Sequence, residues 1–208
     1  MLFRSWIFAA ALLSTVAGAL LQLVISRRLG AAELGLYYLA TRLTFLVGGT
    51  VVDVGTSVSF PIYARLQRSR DEAVGVFRAV LGATCALVVP PFALLVALAP
   101  TLVGDVLGTQ WQGTTSVLRV LAIVCIVSIF GDVTAPIWQA MGQPWRNALL
   151  EAVQSTILLV GAWWLTGVVG ILGAALAWIP ATAATQVLSG VFLPRVLPRP
   201  LEIGRAHV

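Results

Sequence analysis

The sequence predicts an all-α integral membrane protein with about six transmembrane helices. Of its 208 residues, 59% are hydrophobic and only 10% are charged. Soluble domains carry about 25% charged residues, so this chain could not cover itself with a surface that water solvates well. Several apolar stretches also reach the length of about 20 mostly apolar residues that a bilayer-spanning helix needs.

Six such stretches follow one another, separated by short connections rich in glycine and polar residues. They are Trp6–Ser26, Leu34–Ala64, Val76–Leu98, Ser116–Ala140, Ala148–Leu165 and Val168–Leu193. The first stretch is too long for the apolar core of a secretory signal, which has about 7–15 residues, and further spans follow it. The second exceeds a straight span and contains Arg42 and Asp53, so it must tilt, kink, or face protein or water.

The positions of the arginines predict the orientation in the membrane. All 13 basic residues are arginine, and they lie mostly between the apolar stretches. If both termini are cytoplasmic, seven arginines lie on or near the cytoplasmic side, as the positive-inside rule favours. Three lie towards the other side, namely Arg27, Arg28 and Arg119. Nucleic-acid binding is not indicated, because proteins with that function concentrate their basic residues on a solvated face.

Both ends of the chain differ from the pattern between them. The head MLFRS and the tail EIGRAHV back-translate to complementary DNA, as the two ends of a read through a sequencing adapter would. We therefore expect residues 1–5 and 202–208 to be adapter-derived, with residues 6–201 forming the six-helix transmembrane unit.

Five segments resemble those of a known family in both order and spacing. They are RRLGAAELGLYYLATRL, FPIYARLQRSRDEAVGVFR, VGDVLGTQWQGTTSVLRVLAI, WQAMGQPWRNAL and GVVGILGAALAW. Together they resemble the C-terminal half of polysaccharide flippases of the O-antigen and teichuronic-acid type, in the multidrug/oligosaccharidyl-lipid/polysaccharide exporter (MOP) superfamily. The resemblance implies one lobe of a two-lobe transporter whose N-terminal lobe is missing. It also implies a bacterial inner-membrane flippase that moves an oligosaccharide linked to undecaprenyl pyrophosphate by alternating access.

Charged residues at membrane depth are costly, so they commonly face a cavity or a partner. Arg42 and Asp53 are eleven residues apart in the second stretch, which places them within about 20° of the same helix face. Arg42 is a candidate ligand for pyrophosphate or acidic sugars, because guanidinium pairs with phosphate through two hydrogen bonds. Alternatively, Arg42 only extends to the interface. Asp53 could pair with a basic group of the missing lobe, take part in proton coupling, or be hydrogen-bonded locally.

Two further residues complete the predicted substrate cavity. Arg119 and Asp132 are thirteen residues apart in the fourth stretch, so their directions differ by about 140°. We expect Arg119 to face the outer part of the cavity and Asp132 to lie near a kink at Pro136. The simplest interpretation of Glu151 is an edge residue near Arg146 on the cytoplasmic side, and the alternative is a place at the floor of the cavity.

Two sequence features predict packing rather than chemistry. Five tryptophans fall at predicted span ends, where an aromatic belt would lie at the membrane surface. They are Trp111, Trp138, Trp145, Trp163 and Trp164. The small residues of Gly170–Ala177 permit close approach between helices.

The sequence outside the tail contains no histidine, and CxxC, P-loop and GxGxxG motifs are absent throughout. Cys85 and Cys125 lie inside apolar stretches, as small buried residues do. We therefore predict no enzyme activity, no cofactor and no metal, with membrane lipids and a lipid-linked oligosaccharide as partners and no nucleic acid. Three hypotheses compete with a flippase lobe: a multidrug or cation exporter of the same superfamily, a membrane enzyme, and a truncated chain without independent activity.

Overall fold

A computed structural model describes the backbone of residues 2–65, 70–140 and 142–196, and the side chains of residues 5–48, 74–139 and 142–193. Seven α-helices, six of them long, account for nearly all of this backbone. They are α1 (Leu2–Leu29), α2 (Ala31–Arg65), α3 (Arg70–Thr101), α4 (Thr114–Ala140), α5 (Trp145–Val169), α6 (Ile171–Leu176) and α7 (Trp178–Val196). A short π-helix, Leu102–Leu107, and a turn of 3-10 helix, Thr109–Trp111, join α3 to α4.

The prediction of an all-α membrane protein is confirmed. Within the described residues, five segments are long and apolar enough to cross a membrane: Ser5–Leu29, Val74–Leu107, Thr114–Gln139, Trp145–Val169 and Ile171–Leu193. The remaining predicted span, the second along the chain, is α2, whose side chains are described only as far as Gly48. Its 35 residues correspond to a length of about 52 Å, which exceeds the hydrocarbon thickness of about 30 Å. Such a helix must tilt or project beyond the bilayer.

Glycines in the left-handed half of backbone space set two of the helix boundaries. Gly30 has a φ of 92° and reverses the chain between α1 and α2 within one residue. Gly170 has a φ of 65° and ends α5 at Val169. Residues with a Cβ rarely adopt these angles, whereas glycine does so without steric cost. The sixth predicted span therefore begins after Gly170, and the predicted start at Val168 is wrong by three residues.

Helix α4 lies at the centre of the bundle and packs against α2, α3 and α7, while α1 packs mainly along α5. Val117, Leu118 and Ala122 of α4 have no exposed surface. Large apolar side chains also cover the outside of the bundle, where Leu46 and Trp164 are at least 70% exposed. A water-soluble domain rarely exposes so much contiguous apolar surface, but a membrane span presents it to lipid.

The predicted close packing around Gly170–Ala177 is confirmed. A Cβ on Gly173 would overlap the backbone of Leu165 and Thr166, so α6 contacts α5 without an intervening side chain. Ala174, Ala175 and Ala177 are fully buried in the same contact region. Small residues thus bring two consecutive helices together, as they commonly do between membrane helices.

Trp138 differs from the other tryptophans of the predicted belt. Its side chain is fully buried, whereas Trp163 and Trp164 are mostly exposed near the end of α5. The guanidinium carbon of Arg28 lies 3.8 Å from the centroid of the Trp163 ring, which places the end of α1 beside the end of α5. The belt prediction is therefore wrong for Trp138, because neighbouring helices enclose this residue.

Arg119 supplies a hydrogen bond that α3 cannot make for itself. Its Nε donates to the carbonyl oxygen of Val96 at 3.1 Å. The usual helical donor to this carbonyl would be the N–H of residue 100, but residue 100 is proline and has none. An unpaired carbonyl is costly in a membrane. Arg119 therefore joins α4 to α3 where the helical hydrogen-bond pattern of α3 is interrupted.

The role of Arg119 can be tested with a double-mutant cycle. Arg119→Met should lower the free energy of unfolding of the purified chain in detergent by about 0.6–1.5 kcal/mol, because the Val96 carbonyl loses its donor. In a Pro100→Ala background the new N–H can bond to Val96, so the same substitution should cost much less. Thermal denaturation of the four chains measures this difference, and an equal cost in both backgrounds would exclude the proposed role.

The contact at Gly173 gives a second stability prediction. Gly173→Ala should destabilise the chain by about 1–3 kcal/mol, because the added methyl overlaps the backbone of α5. Gly190→Ala is the matched control, since a Cβ on this helical glycine would meet nothing within 4 Å. Thermal denaturation of both variants in detergent checks the prediction, which fails if the two substitutions have the same effect.

Candidate functional site

Three adjoining cavities follow one another through the bundle. We name them the cationic, central and acidic cavities, with volumes of about 330, 420 and 330 Å³. The cationic and central cavities share four lining residues: Tyr37, Thr41, Phe45 and Trp178. The central and acidic cavities share another four: Ser128, Asp132, Gln154 and Thr182. The three cavities therefore adjoin one another in a row, with shared walls between them, and we call this row the path.

The cationic cavity lies between α1, α2 and the start of α7, and Arg42 is the basic residue of its lining. Arg42 is exposed, and its Nε donates to the hydroxyl of Tyr38 at 2.9 Å, one helical turn away. The guanidinium carbon lies 5.2 Å from the centroid of the same ring. Tyr38 therefore orients the guanidinium through both a hydrogen bond and the face of the ring.

Trp178 forms the wall between the cationic and central cavities. It begins α7 immediately after the break that separates α6 from α7 at Ala177. Its indole Nε1 donates to the hydroxyl of Tyr37 at 2.9 Å, which joins α7 to α2. Because Tyr37 is buried, this hydrogen bond holds Trp178 firmly in the wall.

The acidic cavity lies between α1, α4, α5 and α7 and is rich in carboxyl, amide and hydroxyl groups. Its polar residues are Ser14, Ser128, Asp132, Asn147, Glu151, Gln154, Thr182, Thr185, Gln186 and Ser189. The described lining of this cavity includes no arginine. It is thus the opposite in charge to the cationic cavity, at the other end of the same path.

Hydrogen bonds between helices position several of these side chains. Gln186 of α7 donates through Nε2 to the carbonyl of Ser128 at 3.2 Å, and Asn147 of α5 donates to the carbonyl of Ala135 at 3.2 Å. The Ser128 hydroxyl lies 3.2 Å from Oδ2 of Asp132 and 2.9 Å from the carbonyl of Cys125. These bonds fix α4, α5 and α7 around the acidic cavity.

The structure brings two of the four predicted cavity residues onto this path. Arg42 lines the cationic cavity, and Asp132 lines both the central and the acidic cavities. Arg119 lines none of the three and instead bonds to Val96 on the outer side of α4. Asp53 lies in α2, but its side chain is outside the described residues.

Sequence reasoning interpreted Glu151 as an edge residue, but the structure places it in the wall of the acidic cavity with Asp132. It also missed the polar residues of α7. One signal could have found them, since Thr182, Thr185, Gln186 and Ser189 are spaced i, i+3, i+4 and i+7 in an otherwise apolar helix. That spacing places all four on one helix face.

The arrangement of the helices is that of a MOP superfamily transporter. A multidrug resistance MATE family transporter of this superfamily, in an outward-facing conformation, matches with a TM-score of 0.77 and 18% identity, over 89% of this chain and 42% of that chain. A MOP superfamily transporter from Pyrococcus furiosus matches with a TM-score of 0.74 and 19% identity, again over 89% and 42% of the two chains. At these identities the similarity shows the fold alone.

The family follows from the sequence. Residues 1–116 match the family model described as "Polysaccharide biosynthesis protein", which is more than half of the chain. The chain therefore belongs to this family, the polysaccharide flippases of the MOP superfamily, and the resemblance found in its motifs is confirmed.

Two curated relatives agree with this assignment. The teichuronic acid biosynthesis protein TuaB of Bacillus subtilis is 28% identical over 158 residues, 68% of this chain and 32% of that protein. The lipopolysaccharide biosynthesis protein WzxC of Escherichia coli is 27% identical over 135 residues, 65% of this chain and 27% of that protein. The chain thus spans about a third of the length of the relatives it matches. Its apolar helices and these relatives identify a multi-pass protein of the bacterial inner membrane.

The path predicts that the two cysteines differ in reactivity. Cys125 lines the central cavity, whereas Cys85 lines none of the three cavities. At alkaline pH, where a buried thiol also ionises, a small water-soluble thiol reagent should therefore label the chain carrying Cys85→Ser faster than the chain carrying Cys125→Ser, because Cys125 lines a cavity that water can enter. Mass spectrometry of the folded chains in detergent measures both rates, and equal rates would contradict a hydrated path.

Proposed function

We propose that the intact protein is a flippase that moves a lipid-linked oligosaccharide across the bacterial inner membrane by alternating access. In this proposal residues 6–201 are its C-terminal lobe, residues 1–5 and 202–208 are adapter-derived, and a second lobe completes the transporter. The family assignment and the fold, which matches somewhat less than half of whole MOP transporters, support it. The substrate is an oligosaccharide on a carrier of the undecaprenyl pyrophosphate type.

The row of three cavities, with charged and polar side chains in their linings, carries this proposal. The oligosaccharide and diphosphate are polar and cannot cross hydrocarbon unaided, whereas the lipid tail can remain in the bilayer. The side chains of the protein are distributed to suit such a substrate: polar side chains in the three cavities could contact the head group, and apolar side chains on the outer surface face the lipid. A second lobe facing the path would enclose a passage for the head group.

Arg42 is the residue that we propose binds the diphosphate. Its Nε is already used by Tyr38, which sets the plane of the guanidinium. A guanidinium keeps its charge at every physiological pH and binds phosphate oxygens through parallel hydrogen bonds. Asp132 belongs to the same path, and Asp53 of α2 would pair with a basic group of the second lobe or carry a proton during transport. Arg119, which bonds to Val96, has no part in this proposal.

Transport of this kind changes the position of the substrate and not its covalent bonds. The solved structures that share this fold are transporters, and we propose that this protein is likewise not an enzyme. Because alternating access needs two lobes that move against each other, the 208-residue chain by itself would not transport.

A multidrug or cation exporter is the second candidate function. The specific observation in its favour is the acidic cavity, where Asp132 and Glu151 occur without an arginine in the lining. Arg42 at the other end of the path favours an anionic substrate instead. The family match also favours the flippase, and we therefore rank the exporter second.

The proposed role of Arg42 is tested by substitution in the intact protein. Arg42→Ala should reduce surface polysaccharide by about tenfold, because the loss of a charged hydrogen-bonding pair with phosphate weakens binding by that order. Arg27→Ala removes the same charge from the end of α1, outside the three cavities, and should leave output unchanged. Quantitative immunoblotting of the polysaccharide measures both, and unchanged output from Arg42→Ala would reject the assignment.

A further inference from the structure

We propose that the acidic cavity is a subsite for an amino sugar, with its ammonium group between Asp132 and Glu151 and its hydroxyls on the surrounding amides and hydroxyls. The lining of the cavity and its unpartnered polar atoms support binding of a hydroxyl-bearing cation, whatever the function of the protein. That this cation belongs to a transported glycan rests on the proposed function.

The acidic cavity has two carboxyl groups and no basic side chain in its described lining. Asp132 and Glu151 enter it from α4 and α5, and the described lining contains no basic side chain that could neutralise them. The guanidinium carbon of Arg146, which does not line this cavity, lies 5.2 Å from the centroid of Trp138 and 5.3 Å from that of Phe192. A carboxylate that is charged at membrane depth is stabilised by a positive partner, which a cationic ligand would provide.

The hydroxyl of Thr182 also indicates a ligand, and this observation does not depend on the two acids. Seven other helical threonines donate their hydroxyl to a carbonyl of the preceding turn of their own helix: Thr15, Thr41, Thr44, Thr134, Thr156, Thr166 and Thr185. Thr182 makes no such bond, although it is only 2% exposed and lines both the acidic and the central cavities. A buried hydroxyl without a partner is costly, so its place in the cavity wall indicates a ligand.

The unpartnered groups in the cavity wall suit an amino sugar better than a bare metal ion. Besides Thr182, two groups in the cavity wall have no hydrogen-bond partner: the acceptor Oε1 of Gln186 and the donor Nε1 of Trp138. A metal ion can satisfy the acceptor but not the indole N–H, which needs an acceptor of its own. An amino sugar offers both, because its ammonium group donates and its hydroxyls donate and accept. The volume of about 330 Å³ is also far larger than an ion needs.

The test measures the thermal midpoint of the purified chain in detergent with added glucosamine, glucose or NaCl. The buffer is held at neutral pH, where most of the amine is protonated, and tetramethylammonium chloride, a cation without a hydroxyl, keeps the ionic strength constant. Glucosamine should raise the midpoint with a saturable dependence on concentration, because a ligand of the folded chain stabilises it by mass action. Glucose and NaCl should each raise the thermal midpoint less than glucosamine does at the same concentration. Equal stabilisation by NaCl would replace the sugar subsite with a simple ion site, and no effect of glucosamine would reject the proposal.

Variants assign the effect to this cavity. Asp132→Asn and Thr182→Val should each weaken the apparent affinity for glucosamine, by about tenfold for the charged partner. Asp105→Asn is the matched control, because Asp105 lies in the π-helix and outside the three cavities, and it should bind as the unmodified chain does. If Asp132→Asn does not fold, the neutral Thr182→Val substitution alone decides. Unchanged affinity in the folded variants would overturn the assignment.

A parallel titration with inorganic pyrophosphate separates this inference from the proposed function. Arg42→Gln should lose pyrophosphate binding but retain the response to glucosamine, because the cationic cavity, which Arg42 lines, and the acidic cavity have no lining residue in common. If the unmodified chain binds pyrophosphate but does not respond to glucosamine, the amino-sugar subsite alone is rejected. If the unmodified chain responds to glucosamine but does not bind pyrophosphate, or if Arg42→Gln still binds pyrophosphate, the role of Arg42 alone is rejected.

Discussion

The constraint on which the whole structure depends is that every backbone polar group within a bilayer must find its partner inside the protein. Long helices meet most of this demand, and side chains meet the rest where helices are interrupted. Arg119 supplies the donor that Pro100 lacks. Gln186 and Asn147 donate to carbonyls of α4 from neighbouring helices. Many polar residues of this chain therefore hold the backbone together and are not available for other chemistry.

This constraint also separates structural from functional polar groups. A polar side chain that serves the backbone needs no ligand, as the threonines bonded to their own helices show. Among the described residues, several polar groups that do not serve the backbone line the cavities: the guanidinium of Arg42 at one end, and Asp132, Glu151 and Thr182 at the other. The opposite charges at the two ends would suit a substrate whose head group carries both a diphosphate and an amine.

Much of the fold could be predicted from the sequence, because bilayer thickness fixes helix length and glycines mark the turns. Most span boundaries agree to within a few residues, including the start of the last span, which the angle of Gly170 delays by three, whereas the third apolar segment continues to Leu107, nine residues beyond the predicted end at Leu98. Packing between distant helices was harder to predict. Trp138 was expected at the membrane surface but is fully buried, and Arg119 was expected in the cavity although it completes α3. Both outcomes depend on which helices become neighbours, which the pattern within one helix does not determine.

The same limit applies to the candidate site. The charges of Arg42 and Asp132 within apolar stretches were sufficient to single them out, because charge at membrane depth needs a reason. Glu151 was assigned to the edge because it lies only one turn into α5, yet α1, α4 and α7 enclose it. Trp178 and Tyr37 carry no charge, so only the structure shows that they meet in the wall between two cavities.

The central claim is that the polar path moves the head group of a lipid-linked oligosaccharide. It is tested most directly by reconstituting the intact protein into vesicles whose inner leaflet carries a polyprenyl-pyrophosphate-linked oligosaccharide. Appearance of the oligosaccharide outside is then measured by cleavage with an added glycosidase that cannot cross the membrane. The account predicts cleavage beyond the outer-leaflet fraction in vesicles that contain the protein and not in empty ones. Equal cleavage in both, with export of a water-soluble organic cation instead, would contradict it.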